Sequence, residues 1–253
     1  MLQQERHHQI IAKIHLDGQV KVKDLAKEFD VTEDCIRKDL TALEKEGLIK
    51  KIHGGAMQAR KNLHFFQVNE RMNVYSEEKK KIAQKAMKFI EPGSMIFLGI
   101  STVTLEIAKM IYQKSLDVTV VTNMIDIMKI FSDHCPTKLI FIGGSFNRSR
   151  DGFIGSIAIE QVKQYRFDVS FIGVVGINAF DDQITTYDVN DGLTKREVIH
   201  SSKKSYIVAE SAKLNQDGNY VFASLSDFTG YICEGNLETS VYQKLKGYEI
   251  EIV

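Results

Sequence analysis

From residue 95 onward, short apolar, β-prone runs alternate with amphipathic stretches at helical spacing, and this alternation leaves few architectures open. It predicts strands over 95–98, 118–122, 139–142, 169–174 and 206–209, and helices over 104–112, 125–131, 156–164 and 193–202. A further helix is expected over 76–90, with Ser76 as its cap and Glu77 and Glu78 complementing the helix dipole. The expected fold class is α/β with a largely parallel sheet. In such sheets ligands bind beyond the carboxyl ends of the strands, where loops meet helix amino-termini.

The first sixty residues follow another pattern. Ile10, Ile11, Ile14 and Leu16 recur at helical spacing over 2–16, and Asp17-Gly18 closes the run. A second short helix over 22–29 turns Leu25, Ala26 and Phe29 inward, and Asp30-Val31 makes a tight turn before Thr32, a good N-cap. The third helix runs to about Glu46, buries Ile36, Leu40 and Leu43, exposes Glu33, Asp34, Arg37, Lys38 and Thr41, and stops at Gly47. A β-prone segment over 48–55, flanked by lysines and closed by Gly54-Gly55, reads as a hairpin or wing.

Three short helices and a basic hairpin make a winged helix-turn-helix, whose third helix fits the major groove of DNA while wing lysines meet phosphates. The candidate DNA contacts are Thr32, Glu33, Asp34, Arg37, Lys38, Lys50, Lys51 and His53, with Arg37 and Lys38 the best readers. Asp39 is expected to be internal, paired with a neighbouring arginine or a chain end. Residues 1–60 hold 11 Lys and Arg against 10 Asp and Glu, so this unit is barely basic and is expected to act as part of a homo-oligomer.

The 253 residues accommodate two domains: a winged helix-turn-helix over 1–57, a linker over 58–75 where Phe65, Phe66 and Val68 read as an extended segment, and an α/β domain over 76–253. Basic and acidic residues balance at 33 each, so whole-chain charge points to no partner. Cys35, Cys135 and Cys233 are too scattered for a zinc site, no metal or cofactor is implied, and the thiols suit a reducing compartment. The start is polar and no stretch approaches a membrane span, so a cytoplasmic location is expected.

Four loops at the predicted strand ends suit an anion. The first is Gly99 to Thr104, where Ser101, Thr102 and Thr104 offer hydroxyls and backbone N–H groups at a helix start. The second is Thr122-Asn123. The third is Gly143-Gly144-Ser145, with Arg148 and Arg150 behind it, and the fourth runs from Gly173 through Gly176 to Asn178, followed by Thr185-Thr186. Lys195, read as opening a helix after Asp188, Asp191 and Gly192, and Lys213, beyond a strand end, supply positive charge. Neither a Walker loop nor a dinucleotide fingerprint is present, so ATP and NAD are discounted.

The first domain resembles the DeoR family of bacterial regulators through Glu5-Arg6, the run from Val22 to Thr32, Ile36-Arg37-Lys38-Asp39-Leu40, Leu43-Glu44, Gly47-Leu48-Ile49 and His53-Gly54-Gly55-Ala56. The second resembles it through Ser101, Thr102, Thr104, Thr122, Asn123, Gly143, Gly144, Gly155, Asp168, Phe171-Ile172-Gly173, Gly176, Thr185, Lys195 and Lys213. It departs where the family has a second arginine at Lys38, a hydroxyl at Cys35, an aspartate opening the first loop, an aspartate at Glu210, and Asn-x-Glu at Val189-Asn190-Asp191. The resemblance implies an effector domain similar in fold to ribose-5-phosphate isomerase, and a repressor of sugar-metabolism genes that a phosphorylated sugar releases from an operator. Two rival readings stay open. One is an isomerase using Asp168, Asp188, Asp191 or Glu210 as base with Lys195 as electrophile. The other is a constitutive DNA-binding protein whose α/β domain only oligomerises.

Overall fold

A computed structural model describes residues 3–17, 19–58, 76–132, 135–148, 151–179 and 181–253, in two compact units, Met1–Asn62 and Leu63–Val253. The expected joint, with Phe65, Phe66 and Val68, lies outside the described residues, as do Gly18 and Arg150.

In the first unit, α1 (Gln3–Asp17), α2 (Val22–Glu28) and α3 (Glu33–Lys45) enclose a core of Ile10, Ile14, Leu25, Phe29, Ile36, Leu40 and Leu43. Thr32 caps α3 as expected, its hydroxyl accepting the Cys35 N–H at 3.2 Å, and Gly47 ends the helix with φ +72°. The wing is β2 (Ile49–Ile52) paired antiparallel with β3 (Gly55–Gln58), reversing at His53-Gly54 with Gly54 at φ +77°. A third strand, β1 (Gln19–Lys21), pairs with β3 and was not expected, because three residues are too few to show a period.

In the second unit, β4 (Met95–Leu98), β5 (Thr119–Thr122), β6 (Lys138–Phe141), β9 (Phe167–Ile172), β12 (Ser202–Val208), β14 (Gly230–Ile232) and β15 (Glu251–Ile252) form a seven-stranded sheet in the order β15-β14-β12-β9-β4-β5-β6. Every pairing in it is parallel. The strands are apolar on both faces, as a sheet covered on both sides requires. Ile96 and Leu98 point into one core with α4 (Ser76–Ala86), α5 (Thr102–Gln113) and α6 (Ile125–Phe131). Phe97 points into the other, with α7 (Ser156–Val162), α8 (Val189–His200) and α9 (Thr239–Lys246).

Several boundaries move. The helix read over 76–90 is α-helical only to Ala86, then tightens into a 3₁₀ turn over Met87–Phe89. The helix read from 193 starts at Val189, because the Asp188 side chain accepts the Asp191 N–H and caps it there. The strand read from 206 begins at Ser202. The loops after β6 and β9 run into strands, not helices: β7 (Ser145–Asn147) pairs with β8 (Gly152–Ile154), and β10 (Gly176–Asn178), β11 (Gln183–Thr186) and β13 (Tyr220–Ala223) make an antiparallel sheet.

Gly176, expected to face an effector, instead packs against backbone: a Cβ there would lie 1.9 Å from the Gln216 carbonyl oxygen. Main chain cannot swing aside as a side-chain tip does. Gly176→Ala is therefore expected to lower stability by about 1–3 kcal/mol, read as a lower urea midpoint with an unchanged slope.

Candidate functional site

The third helix of the first unit is held from behind. Asp39 is 1% exposed and accepts from Arg6, whose Nη2 lies at 3.1 Å; His7 Nε2 approaches it at 3.1 Å and Gln3 Nε2 at 3.3 Å. Burial by itself pushes the Asp39 carboxyl up, but the hydrogen bonds from Arg6 and His7 outweigh it and hold the group below the usual carboxylate range. Arg6 rises in turn, chiefly through its hydrogen bond to Asp39. Asp39 is internal and paired with an arginine, as expected.

The outer face carries Arg37, Lys38 and Thr41, all exposed. Arg37 Nη2 meets Glu33 Oε2 at 2.6 Å and its Nη1 meets Asp34 Oδ1 at 2.7 Å, so these two carboxylates, expected beside the DNA, clamp the arginine. Thr32 spends its hydroxyl on the cap. Lys51 joins wing to helix: its Nζ donates to Thr41 Oγ1 at 2.9 Å and its backbone N–H to Glu44 Oε1 at 2.8 Å. Lys50 and His53 are exposed on the wing.

In the second unit the expected loops gather at the carboxyl end of the sheet. Ser101 caps α5, its Oγ accepting the Val103 N–H at 3.1 Å, and it presses on Gly173, where a Cβ would lie 2.3 Å from the serine Cβ. Thr102 is buried. Thr104 is fully buried and donates its hydroxyl to the Gly99 and Ser101 carbonyls at 2.6 and 2.8 Å, so it braces the loop and offers nothing to a ligand. Asn123 directly follows β5 and donates to the Phe153 carbonyl of the β7–β8 hairpin. Gly143 takes Gln161 Oε1 at its N–H, Gly144 has φ +151°, and Ser145 is exposed.

Lys195 lies in the second turn of α8 and does not open the helix, a consequence of the earlier cap at Asp188. It is 7% exposed, and its Nζ reaches Asp191 Oδ2 at 2.7 Å, an oxygen that Thr186 Oγ1 also donates to at 2.6 Å. Lys213 sits in a 3₁₀ turn, bonded to Gln216 at 2.8 Å. Lys79 was missed: it is 3% exposed on α4 and lies 3.6 Å from Glu210, just beyond β12. Its signal was available, since 79, 82, 83 and 86 share one helical face and the other three are Ile82, Ala83 and Ala86.

The carboxylates that an isomerase would recruit are separately engaged. Asp168 is at the amino end of β9, accepting the Met95 N–H at 2.9 Å and Lys203 Nζ at 2.8 Å, with Lys203 holding it below its usual range. Asp188 caps α8, Asp191 pairs with Lys195, and Glu210 with Lys79. Among the described residues no group of three or more His, Cys, Asp or Glu side chains could hold a metal ion, and no helix is long and apolar enough to cross a membrane.

A braced helix presenting cationic and hydroxyl side chains beside a wing is built to enter a DNA groove, and a second unit with a polar-lined sheet edge makes its bearer a DNA-binding transcriptional regulator with a sensor module. Residues 6–62 match the DeoR-like helix-turn-helix domain and residues 74–234 the DeoR C terminal sensor domain. The chain belongs to the DeoR family. It is 32% identical over 230 residues to the uncharacterized HTH-type transcriptional regulator FruR of Bacillus subtilis (strain 168), covering 90% of each chain. It is 28% identical over 253 residues to the glycerol-3-phosphate regulon repressor of Escherichia coli (strain K12), covering 100% of this chain and 99% of that one. A ribose 5-phosphate isomerase A from Methanocaldococcus jannaschii aligns over 55% of this chain and 54% of its own with 13% identity and a TM-score of 0.40.

Proposed function

We propose that this regulator represses sugar-metabolism genes and leaves its operator when a phosphorylated sugar binds the carboxyl edge of its parallel sheet. The observation that carries the reading is the meeting, at that edge, of Ser101, Asn123 and the Gly143-Gly144-Ser145 turn in one folded unit, with a DNA-reading helix in another. The relative named as a glycerol-3-phosphate regulon repressor supports the sign of regulation and a link to genes concerned with a phosphorylated metabolite. Effector binding changes how sensor units associate in a homo-oligomer, and hence the spacing of recognition helices; such coupling is typically worth about 1–3 kcal/mol. The domain limits follow the change of pattern, with DNA binding over 1–57 and sensing over 76–253.

On the DNA side, Arg37 exchanges its two carboxylate partners for a base or phosphate, and Lys38, Lys50, Lys51 and His53 supply further contacts. In fluorescence anisotropy with DNA from upstream of the gene, Arg37→Ala is expected to weaken specific binding about 10- to 100-fold while melting temperature and sugar-phosphate binding stay unchanged. Loss of sugar-phosphate binding in the same variant would sink the division of labour. A panel of hexose, pentose and triose phosphates then tests release: operator binding that none of them alters would favour a constitutive DNA-binding protein.

A further inference from the structure

Asn123 is 4% exposed, immediately after β5. Its backbone carbonyl accepts the Phe153 N–H at 2.8 Å, and its Nδ2 donates to the Phe153 carbonyl at 2.7 Å. The second bond fixes which way round the amide sits, because only the NH2 group can face a carbonyl oxygen. Oδ1 is thereby turned to the other side. There it is buried and has no hydrogen-bond partner among the described residues. The neighbourhood is the loop edge already described: a Cβ on Gly152 would touch both the Ile100 side chain and the Asn123 carbonyl oxygen, at 2.4 and 2.7 Å.

A buried amide oxygen is an acceptor and calls for a donor. Phosphate oxygens at neutral pH are overwhelmingly acceptors, so Oδ1 has nothing to offer them, and one of the two Nδ2 hydrogens is already held by Phe153. An alcohol carries the O–H that Oδ1 lacks.

We infer that Asn123 reads the hydroxyl-bearing end of a phosphorylated polyol, its Oδ1 accepting a hydrogen bond from one of the alcohol groups. This rests on the effector reading proposed above and adds to the Thr122-Asn123 loop, expected to serve an anion, an acceptor that serves a hydroxyl. The phosphate is then left to the backbone N–H groups and hydroxyls elsewhere along the edge.

The test compares full-length wild type with Asn123→Ala by isothermal titration, using inorganic phosphate, propyl phosphate, glycerol 3-phosphate, ribose 5-phosphate, fructose 6-phosphate and glucose 6-phosphate. In wild type the tightest polyol phosphate is expected to bind at least about tenfold more strongly than propyl phosphate. In Asn123→Ala that advantage should collapse, with inorganic phosphate binding as before. Equal losses for phosphate and polyol phosphate, or no loss for either, would remove Asn123 from the hydroxyl end. Should the variant fail to fold, wild type alone decides, because propyl phosphate matching every polyol phosphate overturns the assignment. If none of these compounds binds wild type, the effector reading itself falls, and this inference with it.

Discussion

Asp39→Ala is expected to lower the stability of the amino-terminal unit by about 3–5 kcal/mol, because it leaves the Arg6 guanidinium, 7% exposed, without the carboxylate that compensates its burial. A small domain has little more than that to lose. Circular dichroism should show the helices of residues 3–45 melting well below those of the sensor unit, and operator binding should vanish with them. An unchanged melt would show that solvent reaches Arg6. The same carboxylate also sets an acid limit. Its folded pKa lies below its unfolded value, so its contribution is complete above the unfolded pKa, about 4, and disappears as pH falls through the folded one. Asp39→Asn should flatten that acid dependence.

The second large effect belongs to the sensor unit. Asp191→Ala removes the carboxylate paired with the buried Lys195 ammonium, and with it the acceptor of the Thr186 hydroxyl; the expected loss is again about 3–5 kcal/mol, read from denaturant midpoints. Adding Lys195→Met should restore much of it, since the buried charge goes and Met fills a similar volume, at the cost of the contact between the Lys195 ammonium and the Phe222 ring, 5.6 Å from its centroid. If the double variant is no more stable than Asp191→Ala, the loss comes from Thr186 and the first turn of α8, not from the ammonium.

These two pairs differ in how visible they were beforehand. Asp39 was read as internal because a carboxylate there could pair with a neighbouring arginine or a chain end, and Thr32 and Gly47 announced the ends of α3 by their chemistry. The parallel strands β4, β5, β6, β9 and β12 were legible because burial on both faces makes them continuous apolar runs, whereas the short β14 and β15 of the same sheet were not expected. The three-residue strands β1, β7, β8 and β10 were not, for they owe their form to partners that local pattern cannot show. Lys195 was singled out, but its helix was started too late, since Asp188 was read as a neighbouring charge and not as a cap. The loops after β6 and β9 were placed at the correct edge and given the wrong continuation. The orientation of Asn123 depends on Phe153, thirty positions away. No spacing rule reaches that far.

The clamp on Arg37 bears on how the protein searches a genome. Non-specific attraction to DNA is almost wholly a matter of uncompensated cations meeting phosphates. Here the foremost cation of the reading helix is neutralised by Glu33 and Asp34, in a unit whose charges nearly cancel. Both ion pairs lie at the surface, where such pairs are worth about 0–1 kcal/mol, so on the proposed reading the clamp trims non-specific attraction without closing the helix to a matched site.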